Sequence, residues 1–229
     1  MGGFIFPYRS KILQKKEINH NIVRFHIDKP YGYAFTPGQA IDLSIDQKGF
    51  ELDVAPFTIT NTIDQSFLEL YIKISPHQDS LSYSLASLQA GAILQISEPY
   101  DNYKYEGKGV FIAAGTGIMP FIAIFKSLIK SNTTLTDHKL IYTNKRKKDI
   151  LFKSELTQLF GKNYINILTK SKAQNMVSGR IDIHFLKAQI KNLNQQFYIC
   201  GPKQFEKEIM QSLIQLGAKK SYIQTGYNL

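Results

Sequence analysis

The 229-residue chain has one cysteine and no tryptophan, and acidic residues are few, with 18 Asp and Glu against 28 Lys and Arg for a formal net charge of +10. The lone thiol, Cys200, excludes an internal disulfide. It also excludes an iron–sulfur cluster ligated within the chain, which needs four thiolates. A single free cysteine suits a reducing compartment, so a cytoplasmic location is expected. The five histidines (His20, His26, His77, His138, His184) show no ligand spacing, and no metal site is expected. Long apolar runs are also missing. The uncharged stretch from Gly109 to Phe125 has 17 residues, the low limit for a membrane span, and Gly115, Gly117 and Pro120 interrupt it. It reads as strand, turn and helix, so no membrane insertion is expected. The start, Met1-Gly2-Gly3-Phe4-Ile5-Phe6, lacks the basic region of a secretory leader.

The positive excess favours an acidic partner, a polyanion or phosphorylated ligands. Nucleic acid is not the expected partner: no recognition motif is present, and the basic residues interleave with loops instead of forming one stripe.

Residues 8–104 contain short alternating runs punctuated by turn residues. Strands are expected at Ile22–Ile27, Ala40–Ile45, Phe57–Thr60, Leu68–Ile74 and Ala92–Ile96, which suggests an antiparallel barrel. A short helix is expected over Ser80–Leu88, where Leu81, Leu85 and Leu88 share a face. Beyond about Tyr105 strands alternate with helices. The strands are Val110–Ala114, Leu140–Thr143, Ile165–Thr169 and Phe197–Cys200. The helices are Pro120–Lys130, Leu151–Phe160, part of Ile181–Lys191 and Lys203–Leu216. This pattern implies βαβ units and a parallel sheet. The expected fold is therefore two-domain: an antiparallel β-barrel over residues 1–104 and an α/β parallel-sheet domain over 105–229.

Three segments carry chemistry. An apolar strand, then Gly115-Thr116-Gly117, then a helix is phosphate-binding geometry, because glycine lets backbone approach a ligand and the helix N-terminus offers N–H groups and a positive dipole end. A tight turn between strand and helix would leave the same pattern. Lys145-Arg146-Lys147-Lys148 and Lys170-Ser171-Lys172 follow the next two strands, at the edge where open parallel sheets bind ligands. They suit the 2′-phosphate of NADP, or they are a solvated charge run. Cys200-Gly201-Pro202 ends a strand of the same sheet, where a free cysteine is otherwise a small buried apolar residue.

Taken together, the ordered segments resemble the ferredoxin–NADP reductase family, in its flavodoxin-reductase-like branch without an iron–sulfur domain. Phe35-Thr36-Pro37-Gly38-Gln39 is similar to the family's F-x-P-G-Q turn, and Ala55-Pro56-Phe57-Thr58 stands at its R-x-[YF]-[ST] flavin motif. Ile112 to Pro120 resembles the G-T-G-I-x-P nucleotide loop. Asn144-Lys145 through Asp149-Ile150-Leu151-Phe152 and Glu155-Leu156 resembles R-x-x-x-D-I-L-[FY]-x-x-E-L, and Cys200-Gly201-Pro202 matches C-G-P.

The resemblance implies a six-stranded barrel holding FAD and a C-terminal NADP domain. It implies that Phe57 lies against the flavin ring with Thr58 near its reactive nitrogen, and that Tyr71, Ile72 and Lys73 line the flavin. It places Leu81 and Ser82 on the FAD pyrophosphate and Thr116 between the two rings. Lys145, Arg146, Lys170 and Arg180 would receive NADP phosphates. Cys200, beside Gly201 and Pro202, would abut the nicotinamide, and Tyr227 would cover a flavin face. The implied activity is electron transfer from NADPH through FAD to an acidic one-electron carrier, flavodoxin or ferredoxin. Ala55 stands where the family has a phosphate-binding Arg, Asp79 where it has a Gly, Gln224 where it has a Glu and Phe205 where it has a Met. These departures imply weaker FAD binding and leave open a non-catalytic nucleotide-binding module with the same fold.

Overall fold

The computed structural model describes residues 6–171 and 177–227. The chain divides into two compact units, one comprising 1–104 with 122–126 and the other 105–121 with 127–229.

The first unit contains β1 (Tyr8–Asn19), β2 (Ile22–Asp28), β3 (Ala40–Ile45), β4 (Ala55–Thr58), β5 (Phe67–Lys73), α1 (Leu81–Ser87) and β6 (Ile93–Ile96). The strands are antiparallel in the order β4-β3-β6-β1-β2-β5. The two outer strands are joined by the residues that follow β4. The Thr60 N–H donates to Glu69 O at 2.9 Å, the Glu69 N–H to Asn61 Oδ1 at 2.8 Å, and Asn61 Nδ2 to Phe67 O at 2.7 Å. The sheet thus closes on itself, which removes the exposed edges that invite aggregation. Alternation puts Leu68, Leu70 and Ile72 of β5 into the barrel core with Phe25, Ile27, Ile41, Leu43 and Ile59. Gly38 makes one crossing possible: at φ +99°, its missing Cβ would stand 2.3 Å from the Tyr103 carbonyl oxygen.

β1 was not expected from the sequence. Its pattern YRSKILQKKEIN buries only Ser10 and Ile12, so its lysines and Glu17 mask the alternation although it lies inside the sheet order.

The second unit contains β7 (Gly109–Ala114), a 3-10 turn (Gly115–Ile118), α2 (Met119–Lys130, its central residues 122–126 grouping with the first unit), β8 (Lys139–Asn144), α3 (Lys153–Phe160), β9 (Tyr164–Leu168), β10 (Val177–Ser178), α4 (Ile183–Gln189), β11 (Gln196–Cys200), α5 (Lys203–Leu216) and β12 (Ile223–Thr225). The sheet is parallel in the order β10-β9-β8-β7-β11-β12. Val110, Ile112, Ile141, Ile167, Phe197 and Ile199 meet α4 and α5 in one core with Leu186, Ile209 and Leu213. α3 begins two residues later than the apolar pattern suggests, because Ile150 is extended and Phe152 adopts a left-handed φ of 55° that no α-helix continues. β10 and β12, two and three residues long, are too short to leave a periodic signal.

The chain order of β7, β8, β9 and β11 brings their carboxyl ends, and the loops that follow, to one edge of the sheet. That is the edge at which an open parallel sheet accepts ligands.

Candidate functional site

In the first unit, Ala55, Phe57 and Thr58 are half-buried on β4 and Pro56 is exposed. Phe57 packs against the barrel core. Thr58 pairs with Ala40 across the ladder, and its hydroxyl makes no hydrogen bond among the described residues. On β5, Tyr71 is half-buried and Lys73 exposed, on the face opposite the core; Ile72 points inward and is 1% exposed, so only its backbone could meet a ligand. α1 starts at Leu81 behind the cap Ser80, whose side chain accepts from the Tyr83 N–H. Leu81 and Ser82 are the first helical positions, whose N–H groups have no carbonyl within the helix. Ser82 Oγ accepts from the Ser75 N–H at 3.0 Å and lies 3.5 Å from Ser80 Oγ. Uncommitted N–H groups, a hydroxyl and an exposed ammonium at Lys73 fit a flavin nucleotide. Asp79 lies exposed in the preceding turn.

In the second unit, Gly115 sits at φ +57° with open space where a Cβ would stand, and neither Ala114 nor Ile118 supplies a side-chain cap to the turn or to α2. Gly117 is closed instead: its Cβ would lie 2.3 Å from Cys200 O, 2.5 Å from Cys200 C and 2.8 Å from Gly201 N. Gly201 is also confined, its Cβ position 2.7 Å from the Phe205 ring and 2.9 Å from the Cβ of Ala114. The loop is therefore backed by the Cys200–Gly201 turn on one side and open on the other. Thr116 is half-buried, with a hydroxyl that makes no hydrogen bond among the described residues, and Cys200 is half-buried with Pro202 exposed. A cradle of this shape, rich in free N–H groups, fits the pyrophosphate of a dinucleotide.

Lys145, Arg146, Lys170 and Arg180 are exposed. The Lys170 N–H donates to Lys145 O at 2.9 Å, so the two basic loops lie side by side at the carboxyl ends of β8 and β9. Lys172 lies outside the described residues. Tyr227 is 45% exposed at the end of the described chain.

Two further residues join this site that the sequence reading did not single out. Tyr142, a buried aromatic of β8, donates its hydroxyl to Gly115 O at 3.0 Å and so fixes the loop from beneath; burial pushes its phenol far above the ordinary range, and it stays a donor. Glu206, 1% exposed in the first turn of α5, accepts from the Gly201 N–H at 3.0 Å through one carboxylate oxygen. Its other oxygen accepts from Gly226 at 2.9 Å and Tyr227 at 3.3 Å. A core aromatic and an acidic helix start are ordinary sequence features, and neither announces such a bond.

The charge is divided unevenly between the units. The first carries ten Lys and Arg against eleven Asp and Glu, and the second carries eighteen against seven. The whole positive excess thus belongs to the unit with the loop. Among the described residues no group of three His, Cys, Asp or Glu could hold a metal, and no helix is long and apolar enough to cross a membrane.

Comparison with known proteins follows the same division. Residues 8–108 match a family described as an FAD-binding domain, and residues 111–211 one described as an oxidoreductase NAD-binding domain. NADH-cytochrome b5 reductase 2 of Danio rerio is 25% identical over 256 residues, covering 94% of this chain and 83% of that protein. Nitrate reductase [NADH] of Solanum lycopersicum is 29% identical over 176 residues, or 64% of this chain, and the match spans only 19% of that protein's length. Among solved structures, the CS-b5R domains of human Ncb5or in the NAD+ form superpose with a TM-score of 0.84 at 25% identity, covering 96% of this chain and 69% of that one. A ferredoxin NADP+ reductase from Neisseria gonorrhoeae with bound FAD and NADP superposes with a TM-score of 0.80 at 19% identity, covering 96% and 98%.

Proposed function

The chain belongs to the ferredoxin–NADP reductase family of FAD- and NAD-binding oxidoreductases, and on that premise we propose that it passes electrons from NADPH through FAD to an acidic one-electron carrier protein. The observation that carries this reading is the Gly115–Gly117 loop, open over Gly115 and closed against Cys200 at Gly117.

Bound FAD and nicotinamide nucleotide would supply the hydride and single-electron chemistry, and the chain would orient them. The N–H groups at Leu81 and Ser82, with Lys73, would hold the flavin pyrophosphate in place of the Arg absent at Ala55. Phe57 would present its ring to the flavin, and the Thr58 hydroxyl would hydrogen-bond beside the reacting nitrogen. The loop would bind the dinucleotide pyrophosphate, with the Thr116 hydroxyl and the Cys200 thiol beside the nicotinamide and Gly201 and Pro202 shaping its wall. Tyr227 would cover a flavin face.

NADPH is preferred over NADH because Lys145, Arg146, Lys170 and Arg180 supply cations where a 2′-phosphate would lie. The Lys145→Ala/Arg146→Ala double variant should therefore raise the KM for NADPH about tenfold or more while changing that for NADH little. Steady-state kinetics with both nucleotides checks this, and equal effects on both would remove the assigned contact.

The carrier would approach the second unit, which holds the positive excess, and association should slow as salt screens it. Flavodoxin or ferredoxin fits that charge. The cytochrome b5 reductase relative, matched over most of its length, favours a haem carrier as a second reading. Turnover with each acceptor at several ionic strengths separates them.

The test of the whole reading is the visible spectrum of the protein with FAD, then with NADPH, in the absence of oxygen. Flavin bands that bleach on NADPH addition are expected. No flavin binding and no bleaching would leave the non-catalytic nucleotide-binding module that Ala55 and Asp79 permit.

A further inference from the structure

We infer that Glu206 is a positioning residue that couples occupancy of the nucleotide loop to the placement of the C-terminal Gly226–Tyr227 turn. The inference rests on the reading of Gly115–Gly117 as a nucleotide loop.

Glu206 is 1% exposed, an expensive place for a carboxylate unless its oxygens are well satisfied. Its partners come from two segments separated by more than twenty residues. One oxygen takes the Gly201 N–H at 3.0 Å; the other takes Gly226 at 2.9 Å and Tyr227 at 3.3 Å. A carboxyl group is planar and rigid, and the Glu206 backbone is anchored in α5, where its N–H donates to Pro202 O at 3.1 Å. Neither turn can shift by much without dragging that group or losing a charge-assisted hydrogen bond.

The chain of contact extends to the loop. Gly117 has no room for a Cβ against the Cys200 carbonyl and the Gly201 nitrogen, so loop and turn are in direct backbone contact. β11 pairs with β12 through Phe197–Ile223, Tyr198–Gln224 and Ile199–Thr225, and the ladder stops at Thr225. Past that point Glu206 holds the turn, together with the Thr225 hydroxyl, which donates to Tyr227 O at 2.6 Å. A nucleotide pressing on the loop would thus act through Cys200 and Gly201 on Glu206, and through Glu206 on the backbone of Tyr227. Such a contiguous path is the physical requirement for coupling between two places. By linkage, a Tyr227 turn held by Glu206 would in turn strengthen nucleotide binding.

The carboxylate form is required. The amide of a Glu206→Gln variant keeps one acceptor oxygen and turns an NH2 toward the other N–H group, so one of the two turns loses its anchor.

The test is amide hydrogen exchange of the whole protein with and without NADP+. In the unsubstituted protein NADP+ should slow exchange at Gly115–Ile118, Gly201, Gly226 and Tyr227 together. Slowing at Gly115–Ile118 and Gly201 with no response at Gly226 or Tyr227 overturns the coupling, and this arm needs no variant. Slowing nowhere overturns the nucleotide-loop reading itself, and the coupling with it. In Glu206→Gln, checked for folding by its thermal transition, the loop should still respond while Gly226 and Tyr227 do not, and the NADP+ dissociation constant should rise about tenfold. A variant whose Gly226 and Tyr227 respond as in the parent also overturns the inference.

Discussion

Replacing Gly117 by alanine should destabilise the second unit by about 3 kcal/mol and weaken nicotinamide-nucleotide binding about a hundredfold or more. The added methyl would stand 2.3 Å from a carbonyl oxygen and 2.5 Å from its carbon, and both belong to backbone. No rotamer change can relieve such a clash. The strand that bears the carbonyl cannot retreat cheaply either, because β11 is paired along its length with β7, Cys200 opposite Ala113. The loop would have to lift off the turn, taking its N–H groups with it. Gly115→Ala is the control two residues away: open space surrounds its Cβ, so its cost to folding is only the left-handed backbone at φ +57°, about 1 kcal/mol. Its methyl would occupy the open side of the cradle, so it should impair binding without a comparable loss of stability. Thermal melts and NADP+ titrations of both variants check the contrast. A Gly117→Ala protein that melts and binds like its parent would mean that the close backing of the loop has no consequence.

That contrast also separates what the sequence displays from what it hides. The turn at Gly115 and Gly117 between an apolar strand and a helix was readable, because the apolar run, the two glycines and the helical pattern after Pro120 are all local signals. The different tasks of the two glycines were not, since one faces open space and the other a strand eighty residues further along. The barrel strands with clean period-two alternation were legible, as was α5, whose polar and apolar residues follow the helical repeat. β1 was not, because lysines occupy its outward positions and much of its inward face is not apolar.

Glu206 illustrates the deeper limit. An acidic residue in a first helical turn is favourable on dipole grounds alone. That its carboxylate is buried, and shared between a motif turn and the C-terminal turn, follows only from long-range packing. The net charge behaved similarly. Its sign was plain from composition, but that all of the excess lies in the unit with the loop follows only from where the fold divides the chain.

Glu69→Gln should cost the first unit about 2 kcal/mol at neutral pH, and that cost should shrink in acid. Glu69 stands at the seam where the barrel closes, with its backbone N–H on Asn61 and its carbonyl accepting from Thr60. Its side chain is 9% exposed; one oxygen accepts from Lys126 at 2.8 Å and Thr60 Oγ1 at 2.9 Å, and the other meets His26 Nε2 at 3.3 Å. Burial by itself would raise the pKa of this carboxyl, but the Lys126 ammonium and the hydrogen bonds from Lys126, Thr60 and His26 outweigh it and hold the pKa below the ordinary value of 4.5. A carboxyl that is more acidic folded than unfolded contributes stability above its unfolded pKa and loses it as pH falls through the folded one. The contribution is therefore complete at pH 7 and fades only below about 4.5. The amide cannot titrate, so parent and variant should differ most at neutral pH and converge in acid. Lys126 is 37% exposed, and water screens its share, which is why the expected loss lies below that of a fully buried pair. Urea unfolding at pH 7 and near pH 3 measures both differences. A gap that stayed constant or widened on acidification would show that the ionised carboxylate is not what holds the seam.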